Sequence, residues 1–254
     1  PAEHNNALSL GEPSIELVEN ETRIYPDKNL FSHILGNVDT DQQGVSGIEL
    51  FLNDEILDKK KINIPIVLSV DQRIQFIIRE TLLDGINIFS AKGASAVLME
   101  ASTGKILSMV SLPDYNPNDR SELKNKDNLF NKNSKGLYEL GSVFKTFVIA
   151  NALELKKVTR DKVYKNLPSQ VACGKFIIKE YKYSKDKKNL SVNDVLVESS
   201  NIGTIRIIQD SGLETYQNFL EKLEIFDYSG IELPEVSAST KKRWVTNNSV
   251  ITKS

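Results

Sequence analysis

The chain has 254 residues, 40% apolar and 26% charged, a globular composition with a formal charge of -2. That balance excludes a chain disordered throughout and leaves no net basic surface to neutralise nucleic-acid phosphates, so no nucleic-acid partner is expected. One cysteine, Cys173, and two histidines exclude a disulfide scaffold and a Cys/His zinc cluster. No apolar run approaches the ~18 residues that a membrane span requires.

Residues 1–60 carry short apolar clusters broken by turn signals, Gly11-Glu12-Pro13, Tyr25-Pro26-Asp27, Asp39-Thr40-Asp41 and Gly44-Val45-Ser46-Gly47. This pattern predicts short strands and loops, with a boundary at Lys59-Lys60-Lys61. The β-branched run 62–70 predicts a strand. Asp71 then precedes Ile74, Ile77, Ile78 and Leu82, the spacing of an amphipathic helix with an acidic N-cap. Apolar runs at 94–100 and 105–110 flank Ala101-Ser102-Thr103-Gly104 and predict a β-hairpin.

A polar loop covers 113–136. A helix is expected from Ser142, with Phe144, Phe147, Val148, Ala150 and Leu153 on its apolar positions. Residues 165–190 are lysine-rich and read as a surface excursion. Apolar segments 194–197 and 202–208 bracket Ser199-Ser200-Asn201, and 213–223 again has helical spacing.

The sharpest chemical candidate is Ser142-Val143-Phe144-Lys145. A serine hydroxyl is a weak nucleophile until a base takes its proton. A lysine three residues later on a helix shares its face, and both the helix N-terminus and partial burial favour the neutral amine that a base must be. The chain has five S-x-x-K matches, at Ser102, Ser121, Ser142, Ser184 and Ser239. Only Ser142 follows a glycine at the head of a long apolar helix. Two readings stand for it: a nucleophile with its base, or an N-cap serine beside a solvated lysine.

In Ser199-Ser200-Asn201 a hydroxyl and an amide two residues apart can face one cleft, or the triplet can simply cap a helix. His33 reads as a packed, satisfied histidine. Arg23 and Glu49 read as ion-pair residues, and Cys173 as inert.

Together these residues carry a resemblance. Tyr138-Glu139-Leu140-Gly141-Ser142-Val143-Phe144-Lys145 resembles the nucleophile motif of class B penicillin-binding proteins, the D,D-transpeptidases that cross-link peptidoglycan. Arg23-Ile24-Tyr25-Pro26 and Gly44-Val45-Ser46-Gly47-Ile48-Glu49 look like two motifs of the family's pedestal domain. Residues 101–109 with Pro113-Asp114-Tyr115-Asn116-Pro117-Asn118 look like its first transpeptidase hairpin and following loop. Ser199-Ser200-Asn201 looks like its S-x-N element. The motifs stand in family order across almost the whole chain.

The resemblance implies an α+β architecture: a β-rich C-terminal piece of the pedestal over 1–60, then the N-terminal part of the transpeptidase domain over 61–254. It implies that Ser142 is the acylated nucleophile, Lys145 its base, Ser199 a proton shuttle and Asn201 a ligand of the substrate amide. No metal or organic cofactor is implied. The implied partners are peptidoglycan stem peptides, β-lactams, divisome membrane proteins and a glycosyltransferase. The implied place is the periplasmic side of the bacterial inner membrane, on a single-pass anchor.

Tyr-Glu before the Gly-Ser pair resembles the septal type more than the elongation type, although Leu140 replaces a usual proline. The family's K-[ST]-G strand is not matched; Lys253-Ser254 falls too early for it. The family's first pedestal motif and its N-terminal anchor are not matched either, so Pro1 is expected to open within the pedestal, and a fragment without the K-[ST]-G strand to be compromised in activity. The alternatives are an elongation transpeptidase, a serine β-lactamase, for which no deacylating base is evident, and a non-catalytic divisome-binding fragment.

Overall fold

The computed structural model describes Ser9 and residues 22–58, 60, 64–174, 176–181, 188–225 and 227–236. Outside the described residues lie His4, residues 11–13, Lys59, Lys61, Ser184, Ser239 and the segment 244–254 with Lys253 and Ser254. The chain divides into two compact units, 1–135 with 232–235, and 136–231 with 236–254.

The first unit is built on α1 (Gln72–Phe89) and a hairpin of β1 (Ala94–Met99) and β2 (Ile106–Leu112). Asp71 starts α1 as expected: its carboxylate accepts the Arg73 and Ile74 N–H groups at 2.9 and 3.0 Å. Ser90, in the left-handed region at φ 49°, ends it. The strands pair antiparallel from Ala94↔Leu112 to Met99↔Ile106. The inward end of β2, with Met109, Val110 and Leu112, joins Tyr25, Ile34, Val38 and Tyr115 in the core.

Two local expectations are corrected here. Residues 22–57 are not strands. They form one-turn helices, Lys28–Phe31, Ser32–Leu35, Gly47–Phe51 and Asn53–Leu57, with a single bridge, Val38↔Gly44, among the described residues. Each of these helices is four or five residues long, a single turn. They share one compact unit with α1 and the hairpin.

The run 62–70 is also no strand over its described residues. Pro65 has no N–H to give a ladder. The run is tied to β2 only at its end, by Ser69 Oγ to the Ile106 carbonyl at 2.7 Å and Asp71 N–H to the Leu107 carbonyl at 2.9 Å.

The second unit is helical around a small apolar core. A 3-10 turn, Gly141–Phe144, runs into α2 (Lys145–Glu154). Two short pairs follow: β3 (Val163–Tyr164) with β6 (Leu190–Ser191), and β4 (Gln170–Cys173) with β5 (Phe176–Lys179). The lysine-rich excursion therefore holds a hairpin, which its scattered apolar residues had not announced.

Then come α3 (Val192–Val197), α4 (Asn201–Ser211) and α5 (Leu213–Lys222). Ser191 and Asp194 form a capping box at the head of α3, each side chain taking the other's backbone N–H at 3.0 Å. Val148, Ala152, Val195, Ile202, Ile207 and Leu220 fill the space where α2, α3, α4 and α5 meet. These small antiparallel sheets and packed helices make an α+β architecture.

Candidate active site

Ser142 lies in the 3-10 turn and Lys145 is the first residue of α2. In a 3-10 helix residues i and i+3 eclipse, so the two side chains leave the same side of the backbone. Gly141 takes φ +53°, a conformation that an L side chain resists and that lets the chain turn sharply just before Ser142. Ser142 is exposed, whereas Lys145 is buried. Burial holds the Lys145 amine below its usual lysine range; the charge of Glu180 opposes this more weakly.

The S-x-N element meets that lysine. Lys145 Nζ donates to the Ser199 carbonyl at 2.5 Å and to Ser199 Oγ at 3.1 Å. Helix geometry explains how Ser199 gets there. The Ser199 N–H bonds the Leu196 carbonyl at 3.1 Å and the Ser200 N–H bonds the Val195 carbonyl at 2.9 Å, the Schellman ending of α3. That motif puts its central residue in the left-handed region, and Ser199 sits there at φ 52° where glycine is usual. A non-glycine residue in this conformation costs roughly 1–3 kcal/mol. In return, a hydroxyl stands at a position that normally has none.

The next residue serves both neighbours. Ser200 Oγ accepts the Gly203 N–H at 2.9 Å, capping α4 as the bland reading of the triplet expects. Gly203 has no room for a side chain, since a Cβ there would lie 2.4 Å from Val195 Cγ2. Asn201 opens α4, and its Nδ2 donates to the Lys179 carbonyl at 2.7 Å.

The structure thus brings Lys145 and Ser199 together and sets Asn201 two residues on. Glu180, which sequence reasoning passed over, closes the arrangement from the end of β5. Its carboxylate accepts from Ser200 Oγ at 2.6 Å, from the Ile202 N–H at 2.8 Å and from the Asn201 N–H at 3.1 Å. The only signal for it was a lone acid after the apolar triplet Phe176-Ile177-Ile178.

The other singled-out residues have structural partners. Arg23 pairs with Glu49 at 3.1 Å. His33 is buried, with Nε2 3.3 Å from the Pro113 carbonyl and its ring edge-on to Tyr115. Burial pushes the His33 imidazole below its usual pKa. Ser102 lies in the hairpin turn, and Ser121 Oγ donates to Asp119 at 2.7 Å. Cys173 is half-buried at the end of β4.

The penicillin binding protein transpeptidase domain matches residues 94–253. The chain is 30% identical over 248 residues to the probable peptidoglycan D,D-transpeptidase FtsI of Caulobacter vibrioides, covering 96% of this chain and 41% of that protein. It is 28% identical over 233 residues to the peptidoglycan D,D-transpeptidase FtsI of Escherichia coli K12, covering 82% and 39%. It therefore spans about two fifths of the length of these relatives. Among solved structures, penicillin binding protein 3 of Mycobacterium tuberculosis superposes with a TM-score of 0.74 at 24% identity, over 85% of this chain and 50% of that one. With this match over most of its length, its FtsI relatives and its fold, the chain belongs to the class B penicillin-binding proteins, as an FtsI-like member of the transpeptidase family.

Proposed function

We propose that this chain carries the acylating half of a serine D,D-transpeptidase that cross-links peptidoglycan stem peptides. The observation that carries the reading is the Lys145–Ser199 contact, with Ser142 three residues before Lys145 in the adjoining 3-10 turn. In this mechanism neutral Lys145 takes the Ser142 hydroxyl proton as Ser142 Oγ attacks the penultimate D-Ala carbonyl. The C–O bond forms and the C–N bond to the terminal D-Ala breaks. The proton passes from Lys145 through Ser199 Oγ to the departing amine, a path that the 3.1 Å contact supports. An amine of a second stem peptide then attacks the ester, displaces Ser142 Oγ and returns its proton.

The Ser142 backbone N–H contributes to the oxyanion hole, and Asn201 receives the substrate amide through its free carbonyl oxygen. Metal and organic cofactors have no part in this scheme.

β-Lactams enter the same step as mimics of the D-Ala-D-Ala terminus and stay on Ser142; the mycobacterial structural relative has been solved complexed with aztreonam and with ampicillin. The Tyr138-Glu139 pair and the FtsI names of the relatives favour septal synthesis over elongation. We assign residues 1–60 to the pedestal and 61–254 to the transpeptidase domain. The protein works in the periplasm from an inner-membrane anchor, with divisome membrane proteins and a glycosyltransferase as partners.

The test is the intact mass of the purified protein after incubation with penicillin. A single stable adduct that Ser142→Ala abolishes supports the reading. A folded protein that carries the K-[ST]-G strand and takes no adduct, or an adduct that survives Ser142→Ala, overturns it.

A further inference from the structure

We infer that Glu180 is a positioning residue of the acylation site: its carboxylate clamps the Ser199–Asn201 turn in the geometry that sets Ser199 against Lys145. The inference rests on the acyl-transfer reading above. Three donors from three consecutive residues, Ser200 Oγ, Asn201 N–H and Ile202 N–H, converge on this one carboxylate at 2.6, 3.1 and 2.8 Å. The adjacent Lys179 carbonyl takes a fourth, Asn201 Nδ2 at 2.7 Å. The strand end therefore grips backbone and side chains of the S-x-N element together.

The grip exceeds what ending one helix and starting the next requires. The Schellman bonds already close α3, and Ser200 Oγ already caps α4 through the Gly203 N–H. What these bonds leave open is the orientation of a turn whose first residue, Ser199, is in a strained left-handed conformation. Such a conformation persists only where its surroundings over-determine it. Glu180 supplies that constraint from outside the helical hairpin, and does so with an acceptor-only group.

A glutamine cannot substitute fully. Its amide offers one acceptor oxygen, and turning its NH2 toward the Asn201 or Ile202 N–H sets donor against donor. Glu180 also contributes a negative charge that opposes the effect of burial on Lys145. Geometry and charge are thus separable by substitution: glutamine loses both, while aspartate keeps the charge on a shorter arm.

The experiment is the initial rate of acylation by a fluorescent penicillin, measured on the purified protein from acid to alkaline pH, with thermal melting of every variant. Glu180→Gln is expected to acylate roughly 10- to 100-fold more slowly, the scale of a small misplacement at a reacting centre, with its acidic limb moved to lower pH. Glu180→Asp is expected to lose less rate and to keep the wild-type limb. Ser200→Ala, which removes one of the three carboxylate bonds, is expected to slow acylation in the same direction.

A Glu180→Gln protein that melts like wild type, acylates at the wild-type rate and keeps the wild-type limb overturns the inference. If Glu180→Gln does not fold, wild-type rates in both Glu180→Asp and Ser200→Ala overturn it instead. Labelling of Ser142→Ala in the same assay sinks the underlying acyl-transfer reading, which separates that failure from failure of the clamp.

Discussion

Lys145 Nζ reaches Ser199 Oγ at 3.1 Å across 54 residues of sequence, and the two arrive there by different local devices. Lys145 is delivered by the junction of a 3-10 turn and α2, Ser199 by a Schellman turn at the end of α3. The first is an ordinary helix start, while the second carries the strain of a left-handed serine. Together they hold an amine, whose burial shifts it toward its neutral form, against a hydroxyl that can pass a proton on.

The first prediction concerns that amine. Burial lowers the Lys145 pKa, so its neutral, proton-accepting form persists to lower pH than in a free lysine. Acylation by penicillin should rise with pH along an acidic limb whose midpoint lies below the ordinary lysine value of 10.5. Rates of adduct formation across pH measure it. Lys145→Arg, a cation that cannot act as a base at any accessible pH, should flatten the limb and lower the rate on the order of 10²-fold or more.

Ser199 should trade stability against chemistry. Its left-handed backbone costs roughly 1–2 kcal/mol, while glycine there would lose about 0.5–1 kcal/mol more chain entropy on folding. Ser199→Gly is therefore expected to be neutral or to gain up to about 1 kcal/mol of stability. The same change removes the hydroxyl that Lys145 contacts, and acylation should fall on the order of 10²-fold. Thermal melts beside acylation rates decide it: a loss of stability with activity retained would contradict both halves.

How much of this was legible in the sequence follows from the range of the interactions. Ser142 and Lys145 were readable because their relation is local, three residues along one helical turn. The Asp71 cap and the β1–β2 hairpin were readable for the same reason. Ser199 was readable as a turn residue, but its left-handed backbone was hidden, because serine does not advertise that conformation. Glu180 was hidden more deeply, since its partners lie 20 to 22 residues away and its setting is lysine-rich. In α1 the expected apolar positions include Ile77, which is exposed, while the deepest residue is Gln75. Periodicity assigns faces by hydropathy, and a fully satisfied polar group defeats it.

Gly203 gives a prediction about packing. A Cβ there would stand 2.4 Å from Val195 Cγ2 and 2.9 Å from Ser200 Oγ, so α3 and α4 approach too closely for alanine. Alanine's better helix propensity, about 1 kcal/mol, works against an overpacking cost of roughly 1–3 kcal/mol. Gly203→Ala should therefore lose stability, and Val195→Ala combined with it should recover part of that loss. A double-mutant cycle on urea unfolding tests the coupling; strict additivity would mean that the contact does not limit helix approach.

Gln75 gives the last prediction, in the first unit. Its side chain is 1% exposed, and all its polar atoms are used. Nε2 donates to the Leu30 and Met109 carbonyls, both at 2.9 Å, and Oε1 accepts from Ser108 Oγ at 2.7 Å and the Met109 N–H at 3.0 Å. Gln75→Leu would fill the volume but strand two carbonyls, an N–H and a hydroxyl in a buried place, each orphan costing about 1–3 kcal/mol before relaxation. A net loss of roughly 2–4 kcal/mol is expected, read from the urea midpoint at unchanged slope.

Gln75→Glu should be worse at neutral pH, because its carboxylate would face two carbonyl oxygens with no proton to offer. Its folded-state pKa would then lie above the unfolded value. Its stability should recover as pH falls through the raised pKa, where protonation restores one donor and removes the buried charge. A Gln75→Glu protein whose stability does not improve on acidification relative to wild type would show that α1 is not tied to β2 through this side chain.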